Sequence, residues 1–198
     1  MQPKDPSDPG RRKFLIASTS VVGTVGVAGA AIPFLSALKP SAKAQAAGAP
    51  TKVDISKLEK GEMMLVEWRG LPIYIIRHNT ESLKALKQNI SRLLDPDSKE
   101  DQQPEYARNE NRSRREDIVV LEAVCTHLSC APKFYPELGS NEFDDNWQGG
   151  FFCPCHGSKF DLAGRVYSGV PAPTNMPVPP HYYKSENILV IGEDGELT

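Results

Sequence analysis

Cysteine is scarce in this 198-residue sequence: four residues, too few to build a disulfide-dense scaffold. A dominant charge is missing as well. Its 23 basic and 25 acidic side chains leave a net charge of −2, so nothing general favours nucleic acid as a partner. No internal repeat runs along the chain. Proline, by contrast, is plentiful: 17 residues, well above a usual share of about 5%, which points to a loop-rich protein with few long helices. Charge is also spread unevenly. Residues 14–38 carry none, whereas residues 81–117 carry 17 in 37 positions.

The uncharged run FLIASTSVVGTVGVAGAAIPFLSAL extends from Phe14 to Leu38. At about 1.5 Å per residue a helix of that length reaches roughly 37 Å, enough to cross a hydrocarbon core of about 30 Å. Gly23, Gly26, Gly29 and Ala30 give it a small-residue face suited to other membrane helices. Arg11, Arg12 and Lys13 stand just upstream and are expected to stay cytoplasmic, which puts the rest of the chain on the outer side. The string GRRKFLI also resembles a twin-arginine export signal, the route for proteins exported already folded. Ala44-Gln45-Ala46 has the small-x-small form of a signal-peptidase site. The apolar run is nevertheless long for a signal core of roughly 7–15 residues, so a retained anchor is expected. The expected organisation is a basic cytoplasmic segment (1–13), a transmembrane anchor (14–38), a flexible tether (39–50) and one extramembrane domain (51–198).

That body has 148 residues, enough to bury about 68–70% of its unfolded surface. Short β-branched and aromatic runs recur in it: MMLVEWRG, LPIYIIRH, DIVVLEAVC, GGFFCP, RVYSG and ILVIG. Gly, Pro or Asn-Asp clusters separate them, the pattern of a mainly β, antiparallel domain. One helix is predicted over 82–94, with Leu83, Leu86, Ile90, Leu93 and Leu94 on one face and Thr80 as N-cap. The stretch after it, to residue 117, has no apolar stripe and reads as a solvated loop, making 80–117 a helix-loop insertion. Nine acids and eight bases nearly cancel across 81–117, which argues against an electrostatic docking patch.

All four cysteines fall in two clusters, Cys125-Thr126-His127-Leu128-Ser129-Cys130 and Cys153-Pro154-Cys155-His156-Gly157-Ser158. Each offers two cysteines and one histidine, a composition that implies metal, disulfide or both. Two arrangements are open. Tetrahedral zinc could take one Cys–His pair from each loop, although the one-residue gap of C-x-H is tight for a structural-zinc knuckle. Two cysteines would then be left over in an exported chain, where spare thiols tend to pair. A two-iron centre with mixed cysteine and histidine ligation uses all six groups.

CTHLSC followed by CPCHGS resembles the Rieske iron–sulfur subunit of ubiquinol–cytochrome c oxidoreductase, the respiratory cytochrome bc complex. The anchor, the small-residue tether, the charged insertion and the proline loop Gly169-Val170-Pro171-Ala172-Pro173 extend the likeness over nearly the whole chain. It implies an antiparallel Rieske-type β-domain with a small cluster-binding subdomain at about 124–173. It further implies one 2Fe–2S centre held by Cys125, His127, Cys153 and His156, and a Cys130–Cys155 disulfide. Two positions depart from the family pattern. Ser129 stands where relatives usually have Gly, which matters if a positive φ is needed. Phe160 stands where high-potential relatives usually have Tyr, so one hydrogen bond to a ligand sulfur is expected to be missing.

Replacing two thiolates with two neutral imidazoles raises the charge of an oxidised 2Fe–2S core from −2 to 0 and makes an added electron easier to accept. The Ser158 hydroxyl and loop amides are expected to raise the potential further. Reduction also makes a bound imidazole more basic, so electron and proton travel together, as a quinol donor requires. By the resemblance, exposed His156 meets ubiquinol in the cytochrome b subunit, Leu128 packs there, and the electron goes on to a c-type cytochrome. The same likeness implies a single-pass inner-membrane protein with a periplasmic head, seated in a dimeric complex within the lipid bilayer, with no nucleic acid. His78 and His181 are expected to be structural. The competing readings are a Rieske subunit of another exported oxidoreductase, of the arsenite oxidase type, a soluble Rieske ferredoxin, and a zinc-stabilised, membrane-tethered binding module.

Overall fold

The computed structural model describes residues 9–39, 41 and 48–195. The chain divides into two units, Met1–Ala46 and Ala47–Thr198. In the first, helix α1 spans Pro9–Ala37, 29 residues, with mean hydropathy 1.8 over its most apolar window and no buried side chain. Length and composition suffice to cross a membrane. Residues 1–8 of the basic segment, and residues 40 and 42–47 of the expected tether, including the Ala44-Gln45-Ala46 motif, lie outside the described residues.

The second unit holds three antiparallel, three-stranded sheets. In chain order its elements are β1 (Thr51–Asp54), β2 (Met63–Trp68), β3 (Leu71–Arg77), helix α2 (Thr80–Gln88), β4 (Ile118–Glu122), β5 (Lys133–Asn141), β6 (Asp144–Phe152), β7 (Lys159–Phe160), β8 (His181–Ser185) and β9 (Ile188–Ile191). The sheets run β1-β9-β8, β2-β3-β4 and β5-β6-β7. β3 and β4 are apolar without alternation because both of their faces are covered. Ile73 and Ile75 of β3, with Ile118 and Val120 of β4, share a core with Val53, Leu189 and Ile191 of the β1-β9-β8 sheet. Tyr74, Ile76, Val119 and Leu121 point the other way, into the core that contains Cys125 and Cys153. The two-residue period of a strand thus sends alternate side chains into two cores. Each Ile or Val buried in this way is worth about 1.5–3 kcal/mol.

Three local readings need correction. Helix α2 ends at Gln88 rather than 94, and its N-cap is Asn79 rather than Thr80: Asn79 Oδ1 accepts from the Ser82 backbone N–H at 2.8 Å. A single 3-10 turn, Ile90–Arg92, follows, because Leu93 turns to extended backbone and pairs with Tyr167. The predicted apolar face therefore breaks up, and Ile90 and Leu94 are exposed. Second, RVYSG is not a strand; Val166 and Tyr167 make only isolated bridges. Third, the charged stretch after α2 is not simply solvated. Ser98, Gln103, Ala107, Arg112 and Ser113 are buried in it, because polar groups with internal hydrogen-bond partners need no apolar stripe to enter a core.

Sequence reading also passes over β1, β5, the two-residue β7 and β8. β5 (KFYPELGSN) breaks alternation with Pro136 and Gly139, and its pairing with β6 shifts register between Tyr135 and Leu138. Such irregularity erases the two-residue pattern while the ladder persists.

Candidate metal centre

Two loops carry the chemistry-bearing residues: one follows β4, the other joins β6 to β7. Both close in the same way. In the first, Cys125 N–H donates to Cys130 O (2.8 Å) and Ser129 N–H to Cys125 O (2.9 Å). In the second, Cys153 N–H donates to Ser158 O (2.8 Å) and Gly157 N–H to Cys153 O (2.9 Å). The fifth position of each loop is left-handed, Gly157 at φ 76° and Ser129 at φ 59°. Matched position by position, the loops set Cys125 against Cys153 and Leu128 against His156, with the two histidines offset by one place. The positive φ is needed, and Ser129 supplies it without the freedom of glycine.

The loops are brought together by their strands. Gly150, at φ 141°, lets β7 approach β6: a Cβ there would lie 2.0 Å from Phe160 O. Cys130 and Cys155 form a disulfide with Cα atoms 6.7 Å apart. Cys125 and Cys153 remain free thiols, each 2% exposed, in the same core as Phe151, Phe160 and Ala172. Burial pushes the Cys125 thiol up, while the His127 backbone N–H and Ser158 pull the other way. On the outer side, the His127 and His156 rings lie 4.8 Å apart, edge to face. His156 is exposed, and Leu128 beside this tip is 66% exposed.

The proline loop closes over the site. Ala172 is buried in the same core, and its N–H donates to Ser158 Oγ at 3.0 Å. The serine hydroxyl is therefore left with its own proton to donate. Thr126 Oγ1 donates to Thr174 O at 2.7 Å, tying the first loop to the same strap. Thr126 went unrecognised in the sequence because a threonine between two ligand candidates looks like a spacer. Tyr74, whose hydroxyl donates to Pro132 O at 2.8 Å beneath the first loop, lay too far away in sequence to be connected to it. His78 and His181 stand apart from the loops and are buried. Burial pushes each imidazole from 6.5 down to about 4, and His181 Nδ1 sits 2.8 Å from Pro179 O.

The donors sort by kind, thiol beside thiol in the core and imidazole beside imidazole at the surface. That sorting fits two adjacent metal ions with different ligands, as in a mixed 2Fe–2S centre. Sulfurs of Cys130, Cys153 and Cys155 also come within 4.8 Å of one another, but the disulfide removes two of them as thiolate ligands.

Comparison with known proteins agrees. The Rieske [2Fe-2S] domain family matches residues 106–180, and the family described as ubiquitinol-cytochrome C reductase Fe-S subunit TAT signal matches residues 1–41. The ubiquinol-cytochrome c reductase iron-sulfur subunit of Allochromatium vinosum is 49% identical over 93% of this chain and 89% of its own. That of Blastochloris viridis is 41% identical over 97% of this chain and 98% of its own. A solved structure, of a hyperthermophilic respiratory Complex III, covers 89% of this chain and 99% of the matched one, at 26% identity and a TM-score of 0.49. A Tat signal, a membrane-length helix and a Rieske 2Fe–2S domain thus stand in one chain, which belongs to the family of ubiquinol–cytochrome c reductase iron–sulfur subunits.

Proposed function

We propose that this chain is the electron-transfer subunit of a quinol–cytochrome c reductase, taking electrons from ubiquinol beside a cytochrome b subunit and delivering them to a c-type cytochrome. The observation that carries the reading is the layered donor set: buried Cys125 and Cys153, and a paired His127 and His156 at the exposed tip. In it, Cys125 and Cys153 hold one iron and His127 and His156 the other. When bound, a 2Fe–2S group of this kind accepts one electron and makes its imidazole ligands more basic.

The chain's own residues do the rest. Exposed His156 presents its outer ring nitrogen to a quinol hydroxyl and takes up the proton there. Leu128 offers an apolar contact at the same tip. Ser158, pinned by Ala172 N–H, aims its proton at sulfur and stabilises added negative charge. The Cys130–Cys155 link keeps the two loops, and hence the two imidazoles, in register. Arg11, Arg12 and Lys13 stay on the cytoplasmic side of the inner membrane, and the body works on the periplasmic side as part of a dimeric complex in the bilayer.

The deciding measurement is EPR of the dithionite-reduced protein together with iron and acid-labile sulfide analysis. A mixed-ligand 2Fe–2S signal with iron and sulfide in equal amounts is expected, and His156→Ala should abolish both the signal and quinol oxidation. Zinc in place of iron and sulfide, or a normal signal in His156→Ala, would overturn the assignment.

A further inference from the structure

The charged insertion drives a guanidinium into the interior. Arg112 is fully buried and held in the left-handed region at φ 51°. Its Nη1 donates to Ala163 O (3.2 Å) and Gly164 O (3.3 Å), its Nη2 donates to Gln103 Oε1 (2.9 Å), and its Nε has no partner. Every one of those acceptors is neutral. Asp161, the buried carboxylate nearby, is engaged by Arg165: Nε to Oδ2 at 2.8 Å, both side chains 1% exposed. Asp161 Oδ1 also accepts the Ala163 and Arg165 backbone N–H groups. Two buried guanidiniums therefore share one buried carboxylate. Asp95, the other acid that acts on Arg112, is only half-buried and accepts the Lys99 and Glu100 N–H groups, so water screens its charge. Burial pushes Arg112 down to about 10, still protonated at neutral pH.

Between this charge and the two free thiols lies an apolar layer. A Cβ on Gly164, whose carbonyl Arg112 holds, would lie 2.9 Å from Leu121 and 3.2 Å from Met176. Leu121 and Met176 belong to the core group of Cys125, Cys153, Phe160 and Ala172. Phe160, in that group, precedes Asp161 directly. A buried charge acts more strongly across a packed apolar layer than it would through water.

We propose that Arg112 sets the reduction potential of the metal centre: its buried charge, matched by no carboxylate of its own, stabilises the form that carries the added electron. The proposal rests on the two-iron reading above. Redox titration of the iron-loaded full-length protein tests it. Arg112→Gln should lower the potential, by about tenfold in the reduced-to-oxidised ratio at fixed ambient potential, or about 59 mV for one electron. Gln103→Glu, which puts a carboxylate where the neutral acceptor stands, should lower it with the arginine intact. Arg112→Lys, which keeps the charge, should stay near the wild-type potential. These shifts should persist at high salt, whereas Arg108→Gln, at the surface, should shift little and lose that shift in salt.

Unchanged potentials in Arg112→Gln and Gln103→Glu, or Arg112→Lys shifted as far as Arg112→Gln, would overturn the proposal. If Arg112→Gln fails to hold iron, Gln103→Glu decides. If none of the three holds iron, the arginine is structural only and the proposal falls. Wild-type protein without iron and sulfide would instead sink the two-iron reading.

Discussion

Serine at both Cys130 and Cys155 cuts the link between the two loops and leaves the free thiols in place. The linked residues stand 25 apart in sequence. Closing a loop of that length in the unfolded chain removes about 12 cal/mol/K of entropy, or about 3.5 kcal/mol at 25 °C. For a domain of this size 1 kcal/mol moves Tm by about 2–4 °C, so the double variant should melt about 7–14 °C lower. Because the constraint acts on the unfolded state, the loss should appear in metal-free protein as well as in iron-loaded protein. The loaded form should suffer further, since the rings of His127 and His156, 4.8 Å apart, sit on loops that the bond joins. Calorimetry of both forms, with iron content measured alongside, separates the two effects. A metal-free double variant melting within about 2 °C of wild type would refute the chain-entropy reasoning. Unchanged iron retention would refute the role of the bond in holding the loops.

Ser129→Gly removes a left-handed penalty of about 1–2 kcal/mol against a glycine entropy cost of about 0.5–1 kcal/mol. Urea denaturation should show a net gain of about 0.5–1 kcal/mol, and a less stable variant would contradict the assigned φ of 59°. Phe160→Tyr brings a hydroxyl into the core beside Cys125 and Cys153 and should raise the midpoint potential through a new hydrogen bond to sulfur, so a drop or no change counts against it. Stability should fall as the pH drops from about 6.5 toward 4. The unfolded chain protonates His78 and His181 over that range, while burial holds both folded imidazoles neutral down to about 4. The cost is about 3 kcal/mol for each. His78→Gln and His181→Gln should each flatten the dependence, and a profile unmoved by both would show that neither histidine is responsible.

Local chemistry was legible where a few neighbouring residues carry the whole signal. Cys125, His127, Cys153 and His156 announce a ligand set by type and spacing, and the strands over 63–68, 71–77, 118–122 and 188–191 announce themselves by β-branched density. Where the signal is distributed, it was not legible. β5 hides its ladder behind Pro136, Gly139 and a register shift. Arg112 looks like any other base in a charged loop until its partners Ala163 and Gly164, about fifty residues downstream, are seen to accept its hydrogen bonds.

The amino-acid order alone settled the membrane-length apolar run, the antiparallel β character of the body and the two donor loops, because each depends on contacts or patterns a few residues long. Only the tertiary structure decided how β3 and β4 divide their side chains between two cores. It likewise decided that thiols go inward and imidazoles outward, and that a loop rich in charge buries one guanidinium. Burial and hydrogen-bond satisfaction are properties of what comes to lie alongside a residue. For Arg112 and Ser158 those neighbours are brought close by the fold, not by the chain.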